Sequence, residues 1–210
     1  MSVNIRKYKL TYFNFRARAE LARLLFACAG VEFDDERITT IEKWVELKPA
    51  TPFGQLPLLN VGGVQICQSH AIARYLAREF GFAGKTNLDQ ARADMVVECV
   101  ADMLDPIQPC YREPDNVKKE QMRRSYREML PDFMEKLEKM LENNNNGNEY
   151  FVGSELTWAD LAVMNAWHWI PGFGVFPPLN EFPKLEAHRL RVESQPCVMK
   201  WLETRPETPV

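Results

Sequence analysis

The sequence has few of the features that mark metal-binding, nucleic-acid-binding or membrane proteins. Its three histidines and five cysteines are scattered, with no C-x-x-C pair and no H-E-x-x-H spacing, so we expect no metal site. A net charge of −3 provides no field that would attract a polyanion, so no nucleic-acid partner is expected. The sequence has no apolar run as long as a membrane span and no N-terminal signal-peptide stretch, so we expect no membrane partner.

The cysteines favour a reducing compartment, because they are odd in number and widely spaced. We therefore expect a soluble, cytoplasmic protein in which each cysteine is a small buried hydrophobic side chain. The composition, 46% hydrophobic and 26% charged, is that of an ordinary globular protein. A chain of 210 residues is long enough for one large domain or two small ones.

The pattern of predicted secondary structure changes once along the chain. The first eighty residues or so alternate between strand and helix patterns, with strands at 8–13, 31–38, 56–61 and 64–67 and helices at 17–29 and 69–80. The glycines within residues 81–86 interrupt this order, and long amphipathic helices follow at 89–103 and 116–142. We therefore predict an α/β domain over residues 1–81 and an all-α helical bundle over residues 82–210.

Three short motifs predict local structure. Thr157 and Asp160 have the spacing of a capping box, so Thr157 is expected to cap a helix while Asp160 reaches back to the N–H of the cap. Pro57 begins a predicted strand, where it is either an edge residue or part of a special turn such as one with a cis bond. Ser69 stands at a helix start, where it either acts only as the N-cap or, with Gln68, receives an anion at the free N–H groups.

Tyr12 lies at the end of the first predicted strand, next to Phe13 and just before Arg16 and Arg18. Strand alternation by itself does not place Tyr12 in a cleft. A tyrosine in a strand is also a common half-buried packing residue with a satisfied hydroxyl. The pattern therefore leaves a packing role and a functional role open.

Several stretches, in order, resemble the cytosolic glutathione transferases and most of all their sigma class. The stretches are residues 8–20, 53–57, 68–76, 157–160 and 205–206. The resemblance covers essentially the whole chain and implies a thioredoxin-like N-terminal domain, an all-helical C-terminal domain and a homodimer. The sigma class includes haematopoietic-type prostaglandin D synthases, many invertebrate transferases and the relatives from which cephalopod S-crystallins derive.

The resemblance also implies that glutathione is the co-substrate and that Tyr12 donates a hydrogen bond to its sulfur, with Tyr8 outside the site. A thiol has an ordinary pKa near 8.5, and a hydrogen bond to the thiolate favours the nucleophilic form at neutral pH. Arg18 matches an arginine that strengthens this field in the family. The alternative for Arg18 is a charge on the surface of a helix.

The remaining glutathione contacts also follow from the resemblance. They are Trp44, Lys48, Gln55, Leu56, Pro57, Gln68 and Ser69, together with Asp102 of the neighbouring subunit. In the family these positions hold the glycine end, the cysteinyl backbone and the γ-glutamyl group. Gln55 stands where some relatives have lysine, so one positive charge is absent. The alternative for Asp102 is a solvated helix carboxylate.

The second substrate is expected in a pocket between Phe13 and the helical domain. The residues that the resemblance places there are Leu104, Gln108, Ala162 and Ala166. We predict a transferase that conjugates glutathione to small hydrophobic electrophiles, as detoxifying members of the family do. One alternative is a glutathione-dependent prostaglandin H2 D-isomerase, and the alternative from another class is a crystallin-like structural protein.

The sequence departs from the prostaglandin synthases at two places. Pro109 stands where those enzymes carry a stacking tryptophan, and their acidic trio is reduced to Glu98 and Asp102, with Ala101 between them. These departures favour a general transferase over a dedicated isomerase.

Overall fold

The structure is a computed structural model that describes residues 8–209. The start of the chain, on which the expectation of no signal peptide depends, lies outside the described residues. Four strands form one sheet, and they are β1 (Tyr8–Phe13), β2 (Asp34–Ile38), β3 (Leu58–Val61) and β4 (Val64–Cys67). The strand order is β2-β1-β3-β4, with β1 and β2 parallel and the other pairs antiparallel. Because a parallel pair needs a crossover, α1 (Glu20–Ala29) connects β1 to β2.

Helices account for most of the chain after the sheet. The remaining α-helices are α2 (Ile41–Leu47), α3 (Ser69–Phe80), α4 (Asn87–Leu104), α5 (Asn116–Glu142), α6 (Trp158–Trp169), α7 (Pro183–Glu193) and α8 (Pro196–Thr204). Short 3-10 helices lie at Ala17–Ala19, Lys48–Ala50, Asp105–Tyr111, Asn145–Gly147, Ile170–Phe173 and Leu179–Glu181. The predicted class, a thioredoxin-like α/β part followed by an all-α part, is confirmed.

The ends of several elements differ from the sequence prediction, for local reasons. The second strand begins at Asp34 rather than at residue 31, because Gly30 ends α1 in the left-handed conformation and the Val31 N–H bonds back to the Phe26 carbonyl. The third strand begins after Pro57, which has no N–H to donate to the ladder. The predicted helix at residues 17–29 starts with a 3-10 turn and becomes α-helical only at Glu20.

The helix predicted at residues 89–103 is longer, because a capping box starts it earlier. The Thr86 hydroxyl accepts the Asp89 N–H, and the Asp89 carboxylate accepts the Thr86 N–H. Both ends of the strand at 8–13 and of the helices at 69–80 and 116–142 are confirmed.

The expectation that every cysteine is buried is wrong for most of them. Of the five, only Cys110 is fully buried, while Cys28, Cys67, Cys99 and Cys197 are half-buried. The ends of secondary-structure elements are more exposed than their middles: Cys67 ends the edge strand β4, and Cys28 lies in the last turn of α1.

A buried ion network joins the sheet, α1 and α8. Glu20, 1% exposed, accepts hydrogen bonds from Trp201 Nε1 at 2.9 Å and from Arg205 Nη1 at 3.0 Å. Arg23, 0% exposed, pairs with Glu20 and with Asp35 of β2, and it donates to the Phe15 carbonyl at 2.9 Å. The network therefore fixes the turn between β1 and α1.

The predicted capping box at the start of α6 is present and lies in the core. Asp160 Oδ2 accepts the Thr157 N–H at 2.8 Å, while Oδ1 accepts the Phe151 N–H at 2.8 Å and lies 2.9 Å from His188 Nε2. Asp160 and His188 are both 0% exposed. Asp160 therefore provides the hydrogen-bond partner for buried polar groups of Phe151, Thr157 and His188.

The two capping boxes allow a matched test of what burial adds. We expect Asp160→Ala to lower the free energy of unfolding by about 3 kcal/mol or more, because it leaves buried donors unpaired. Asp89→Ala removes the equivalent, more exposed contact on α4 and should cost about 1 kcal/mol. Urea unfolding with an unchanged m-value measures both losses.

Equal losses for the two variants, within about 0.5 kcal/mol, would contradict this assignment. Thr157→Val serves as a control for the cap alone, since it keeps the Thr157 backbone N–H and the Asp160 carboxylate. Its expected cost of about 1 kcal/mol lies below that of Asp160→Ala.

Candidate functional site

Tyr12 is both a buried residue and a residue that lines a cleft. It is only 7% exposed and belongs to the hydrophobic core, yet it also lines a cleft of about 1230 Å³ between the sheet and the helices. Tyr8, at the other end of β1, packs edge-on against Phe26 and Phe80 and does not line this cleft. Of the two tyrosines on β1, Tyr12 therefore borders the cleft and Tyr8 does not.

The environment of Tyr12 favours its neutral form. Burial raises its pKa above the ordinary value, and the partly opposing effects come from a hydrogen bond with the Arg18 backbone and from the charges of Arg18, Arg23 and Arg112. The hydroxyl oxygen accepts the Arg18 N–H, so its own proton is left to donate. Tyr12 is therefore built as a hydrogen-bond donor rather than as a base.

Two residues beside Tyr12 have backbone conformations that non-glycine residues rarely adopt. Ala17 has φ 30° in the turn after β1, and Gln68 has φ 71° just before α3. Both line the cleft. Such outliers cost energy and persist where the surrounding structure determines them, so they point to this cleft as the functional site.

The side chain of Arg18 extends across the cleft to the helical part. It donates from Nη2 to Gln108 Oε1 and lies 3.6 Å from Asp105 Oδ1. Gln108 Nε2 in turn donates to Asp105 Oδ1 at 2.6 Å. Arg18 is thus neither a free surface charge nor a direct side-chain partner of Tyr12, since it meets the hydroxyl through its backbone.

The structure brings the predicted glutathione contacts of one chain together around the same cleft. Those that line it with Tyr12 and Arg18 are Trp44, Lys48, Gln55, Leu56, Pro57, Gln68 and Ser69. The bond between Leu56 and Pro57 is cis, one of the two arrangements that the sequence allowed. Residues more than fifty positions apart in the sequence thus line the same cleft as Tyr12.

Ser69 does not cap α3, contrary to the structural interpretation of the sequence. The N-cap is Gln68, whose side chain makes no cap hydrogen bond, and Ser69 is the first helical residue. The strained φ of Gln68 turns the chain one residue earlier than a serine cap would. The first turn of this twelve-residue helix therefore keeps N–H groups that can receive an anion.

A smaller cavity of about 270 Å³ adjoins the cleft and shares Arg18, Ser69 and Gln108 with it. Leu104 and Ala162 line this cavity, whereas Phe13 lines the main cleft. Asp102, exposed on α4, lines the smaller cavity together with Ser69.

Ala166 lines neither cavity and is 0% exposed. Ala162, Asn165 and Trp169 line the smaller cavity at the i, i+3, i+7 spacing of one helix face. Ala166, at i+4, lies at the edge of that face and packs into the core, so the spacing alone did not separate it from the lining residues.

Aromatic residues that the sequence interpretation missed form much of the cleft wall. The missed lining residues with large apolar side chains are Phe15, Phe53, Tyr111, Met122, Trp169 and Phe173. Phe15 and Tyr111 meet edge-on with ring centroids 6.1 Å apart. Phe13 meets Trp44 in the same way at 5.4 Å. Trp169 could have been predicted, because it lies on the same face of α6 as Ala162. No sequence periodicity identifies the lining residues that lie on irregular segments.

Neither a membrane-spanning helix nor a metal-binding group of side chains is found among the described residues. Within residues 8–209, no helix is both long and apolar enough to cross a bilayer. Over the same residues, no group of three or more histidine, cysteine or acidic side chains is placed to hold a metal ion.

Family comparisons match both parts of the chain. Residues 8–78 match the glutathione S-transferase N-terminal domain, and residues 101–205 match the glutathione S-transferase C-terminal domain. Glutathione S-transferase 1 of Ascaris suum is 40% identical over 97% of this chain and 98% of its own length. Hematopoietic prostaglandin D synthase of Gallus gallus is 38% identical over 97% of this chain and 98% of its own length. S-crystallin 2 of Octopus vulgaris is 39% identical over 96% of this chain and 98% of its own length.

Solved structures show the same fold over nearly the whole chain. A glutathione S-transferase of Caenorhabditis elegans matches with a TM-score of 0.87 and 37% identity, covering 98% of this chain and 100% of its own. A glutathione S-transferase of the hookworm Necator americanus, described as monomeric, matches with a TM-score of 0.82 and 36% identity. The second match covers 97% of this chain and 100% of the hookworm protein.

The raised pKa of Tyr12 can be measured by alkaline titration of tyrosinate absorbance. Subtracting the titration curve of Tyr12→Phe from that of the wild type leaves the titration of Tyr12 alone. In the folded protein we expect the midpoint of this difference curve above the ordinary tyrosine pKa of about 10. In urea the same difference should titrate near 10. As pH rises past about 10 the unfolded chain releases this proton first, so the contribution of Tyr12 to stability falls up to its folded pKa.

A folded midpoint at or below the midpoint in urea would show that the three arginines outweigh burial. At neutral pH the phenol would still be protonated, so this outcome would contradict the effect of burial on Tyr12 and not its ability to donate a hydrogen bond.

Proposed function

This chain belongs to the glutathione S-transferase family, and on that premise we propose that Tyr12 activates the thiol of glutathione for attack on a small hydrophobic electrophile. The observation that carries the proposal is the neutral, buried Tyr12 hydroxyl at the wall of a cleft that also contains the expected glutathione contacts. We assign glutathione binding to residues 1–81 and the electrophile pocket to residues 82–210. We further propose that the enzyme acts in the cytoplasm.

In the proposed reaction, the glutathione thiol releases its proton to solvent water and the Tyr12 O–H donates a hydrogen bond to the resulting thiolate. A reduction of the thiol pKa by about two units corresponds to roughly 2.7 kcal/mol, which a charge-assisted hydrogen bond and nearby cations can supply. The thiolate then forms a carbon–sulfur bond while the leaving group departs with its electron pair, or while the electron pair of an unsaturated carbonyl shifts to oxygen. The cleft adds proximity to this activation.

The charges around the cleft suit the two ends of glutathione. We propose that the α3 N-terminus with Gln68 and Ser69 receives the γ-glutamyl carboxylate, supported by the uncapped first turn of that helix. Trp44 and Lys48 are assigned to the glycine end, because both line the cleft and Lys48 carries a positive charge there. Leu56, before the cis bond, is assigned to the cysteinyl backbone.

The electrophile pocket is proposed along the aromatic wall of the cleft. Phe13 and Gln108 line the cleft and are retained in the proposed pocket, and Leu104 and Ala162 line the adjoining cavity. Tyr111 and Trp169 supply flat apolar faces that suit aryl or unsaturated electrophiles.

We also propose that the site is completed by a second copy of the chain, whose Asp102 would bind the γ-glutamyl amine. Asp102 is exposed, and Met95, seven positions earlier on α4, is 56% exposed. Residues seven apart lie on the same helix face, so an apolar contact and the carboxylate would meet a partner together. The monomeric hookworm relative shows that this assembly needs its own test.

Two other functions have relatives in their favour. The match to a prostaglandin D synthase supports isomerisation of prostaglandin H2 as a second candidate, although Pro109 lines the cleft where those enzymes carry tryptophan. The match to an S-crystallin supports a structural role with residual activity as a third. The intact Tyr12 site favours the enzyme, because a lens protein does not need a buried donor in an open cleft.

Replacing Tyr12 by Phe should separate binding from activation. We expect glutathione to bind with nearly unchanged affinity, the bound thiol pKa to rise by about one to two units, and kcat to fall roughly tenfold to hundredfold. Thiolate absorbance against pH gives the thiol pKa, and conjugation of an aryl halide gives kcat. Tyr8→Phe is the matched control, because it removes a hydroxyl from the same strand outside the cleft.

An unchanged thiol pKa in Tyr12→Phe would refute the role of Tyr12. Glutathione binding without turnover of any electrophile would instead favour the crystallin-like role. Turnover of prostaglandin H2 alone would favour the isomerase.

The shared site can be tested by complementation between variants. Tyr12→Phe and Asp102→Asn should each lower activity, and co-expression of the two should restore roughly a quarter of wild-type activity, because half of a random mixture is mixed dimer with one intact site. The matched control pairs Tyr12→Phe with Gln68→Ala, which both fall in one subunit's site and should restore nothing.

Failure of the first pair to complement, or a monomer in sedimentation, would overturn the shared site. Unchanged activity in Asp102→Asn alone would have the same meaning.

A further inference from the structure

Two cysteines far apart in sequence meet between α1 and α8. Cys28 lies in the last turn of α1, and Cys197 lies in the first turn of α8, 169 positions later. The Cys197 thiol donates to the Cys28 sulfur with the two sulfurs 2.6 Å apart. Both residues are free thiols and half-buried. Sulfurs this close need only a small movement to reach the bond length of about 2.05 Å in a disulfide.

The packing of the two helices holds this pair in place. At the opposite end of the contact, Glu20 in the first turn of α1 binds Trp201 and Arg205 at the end of α8. The helices therefore run antiparallel, with the ion network at one end and the two thiols at the other. Their meeting results from the fold and not from the orientation of one flexible side chain.

The surroundings of Cys28 make its thiol harder to deprotonate. Burial raises the pKa of Cys28, and hydrogen bonding and proximity to Cys197 raise it further. Cys28 is therefore disfavoured as the first thiolate, and in the order proposed below it acts second.

We propose that Cys28 and Cys197 form a reversible intramolecular disulfide when the protein meets glutathione disulfide. The Cys197 sulfur, having released its proton, bonds to one sulfur of glutathione disulfide, whose S–S bond breaks and releases one glutathione thiolate. The Cys28 sulfur then displaces the second glutathione thiolate from Cys197. The two cysteine protons pass to the two glutathione thiolates, so the protein is oxidised by two electrons and glutathione disulfide is reduced.

The bond would join the last turn of α1 to the start of the final helix. Closing a chain segment of 169 positions restricts the unfolded ensemble, and this stabilises the folded state. The disulfide would also hold α1, and the turn before it, against α8. This modification site does not depend on the activity of the cleft.

The test incubates the full chain with glutathione disulfide, removes the reagent and counts thiols after unfolding. We expect the count to fall from five to three, and the digested protein to contain one peptide pair linked through Cys28 and Cys197. Thermal unfolding should shift upward by roughly 10 °C and return after treatment with a dithiol reductant.

Cys28→Ser and Cys197→Ser should each abolish the shift, whereas the matched control Cys99→Ser, also half-buried, should retain it. The thiol count and linked peptide need only the wild type, so a variant that fails to fold leaves the test intact. A count that stays at five, a different linked pair, or stable mixed disulfides with glutathione would overturn the proposal.

Discussion

The buried pair of Glu20 and Arg23 is the interaction on which the site depends. A buried ion pair is costly to break, because removing one partner leaves the other charge buried and unpaired. Here Arg23 reaches Asp35 and the Phe15 carbonyl, while Glu20 accepts from α8. The pair therefore fixes β2, α8 and the turn after β1 to one another. That turn carries the Arg18 N–H to the Tyr12 hydroxyl, so the orientation of the donor follows from a network that does not touch the cleft.

The cleft divides its chemistry between the two parts of the chain. The sheet part supplies Tyr12 and the uncapped start of α3, which suit a charged peptide. The helical part supplies Tyr111 and Trp169, which suit an apolar molecule. The two parts are held together by the bonds from Trp201 and Arg205 to Glu20 and by the contact of Arg18 with Gln108. A reaction between a polar thiol and an apolar electrophile needs both surfaces at one place, and this seam provides them.

Sequence patterns predicted the fold well where one periodicity dominates a segment. The strand at residues 8–13 and the long helix at 116–142 are such segments, and their bounds agree with the structure. The site was harder, because its geometry depends on conformations without periodicity. Gln68 adopts a left-handed φ that displaces Ser69 from the cap, and Ala166 turns inward on a helix whose outer face passes through Trp169. Tyr12 itself could not be separated from a packing residue by pattern, because it is also buried.

Burial around Tyr12 has opposite effects on the two groups that would share the proposed proton chemistry. Desolvation keeps the phenol neutral, as a donor must be, but the same desolvation disfavours any thiolate placed beside it. Activation therefore needs positive charge as well as the hydrogen bond. The charge of Arg18 is partly neutralised by Asp105, while Arg112 forms no side-chain hydrogen bond or ion pair with the other residues from 8 to 209. Arg112 also lowers the Tyr12 pKa through its charge and lines the cleft, so its field acts where the proposed thiolate would form.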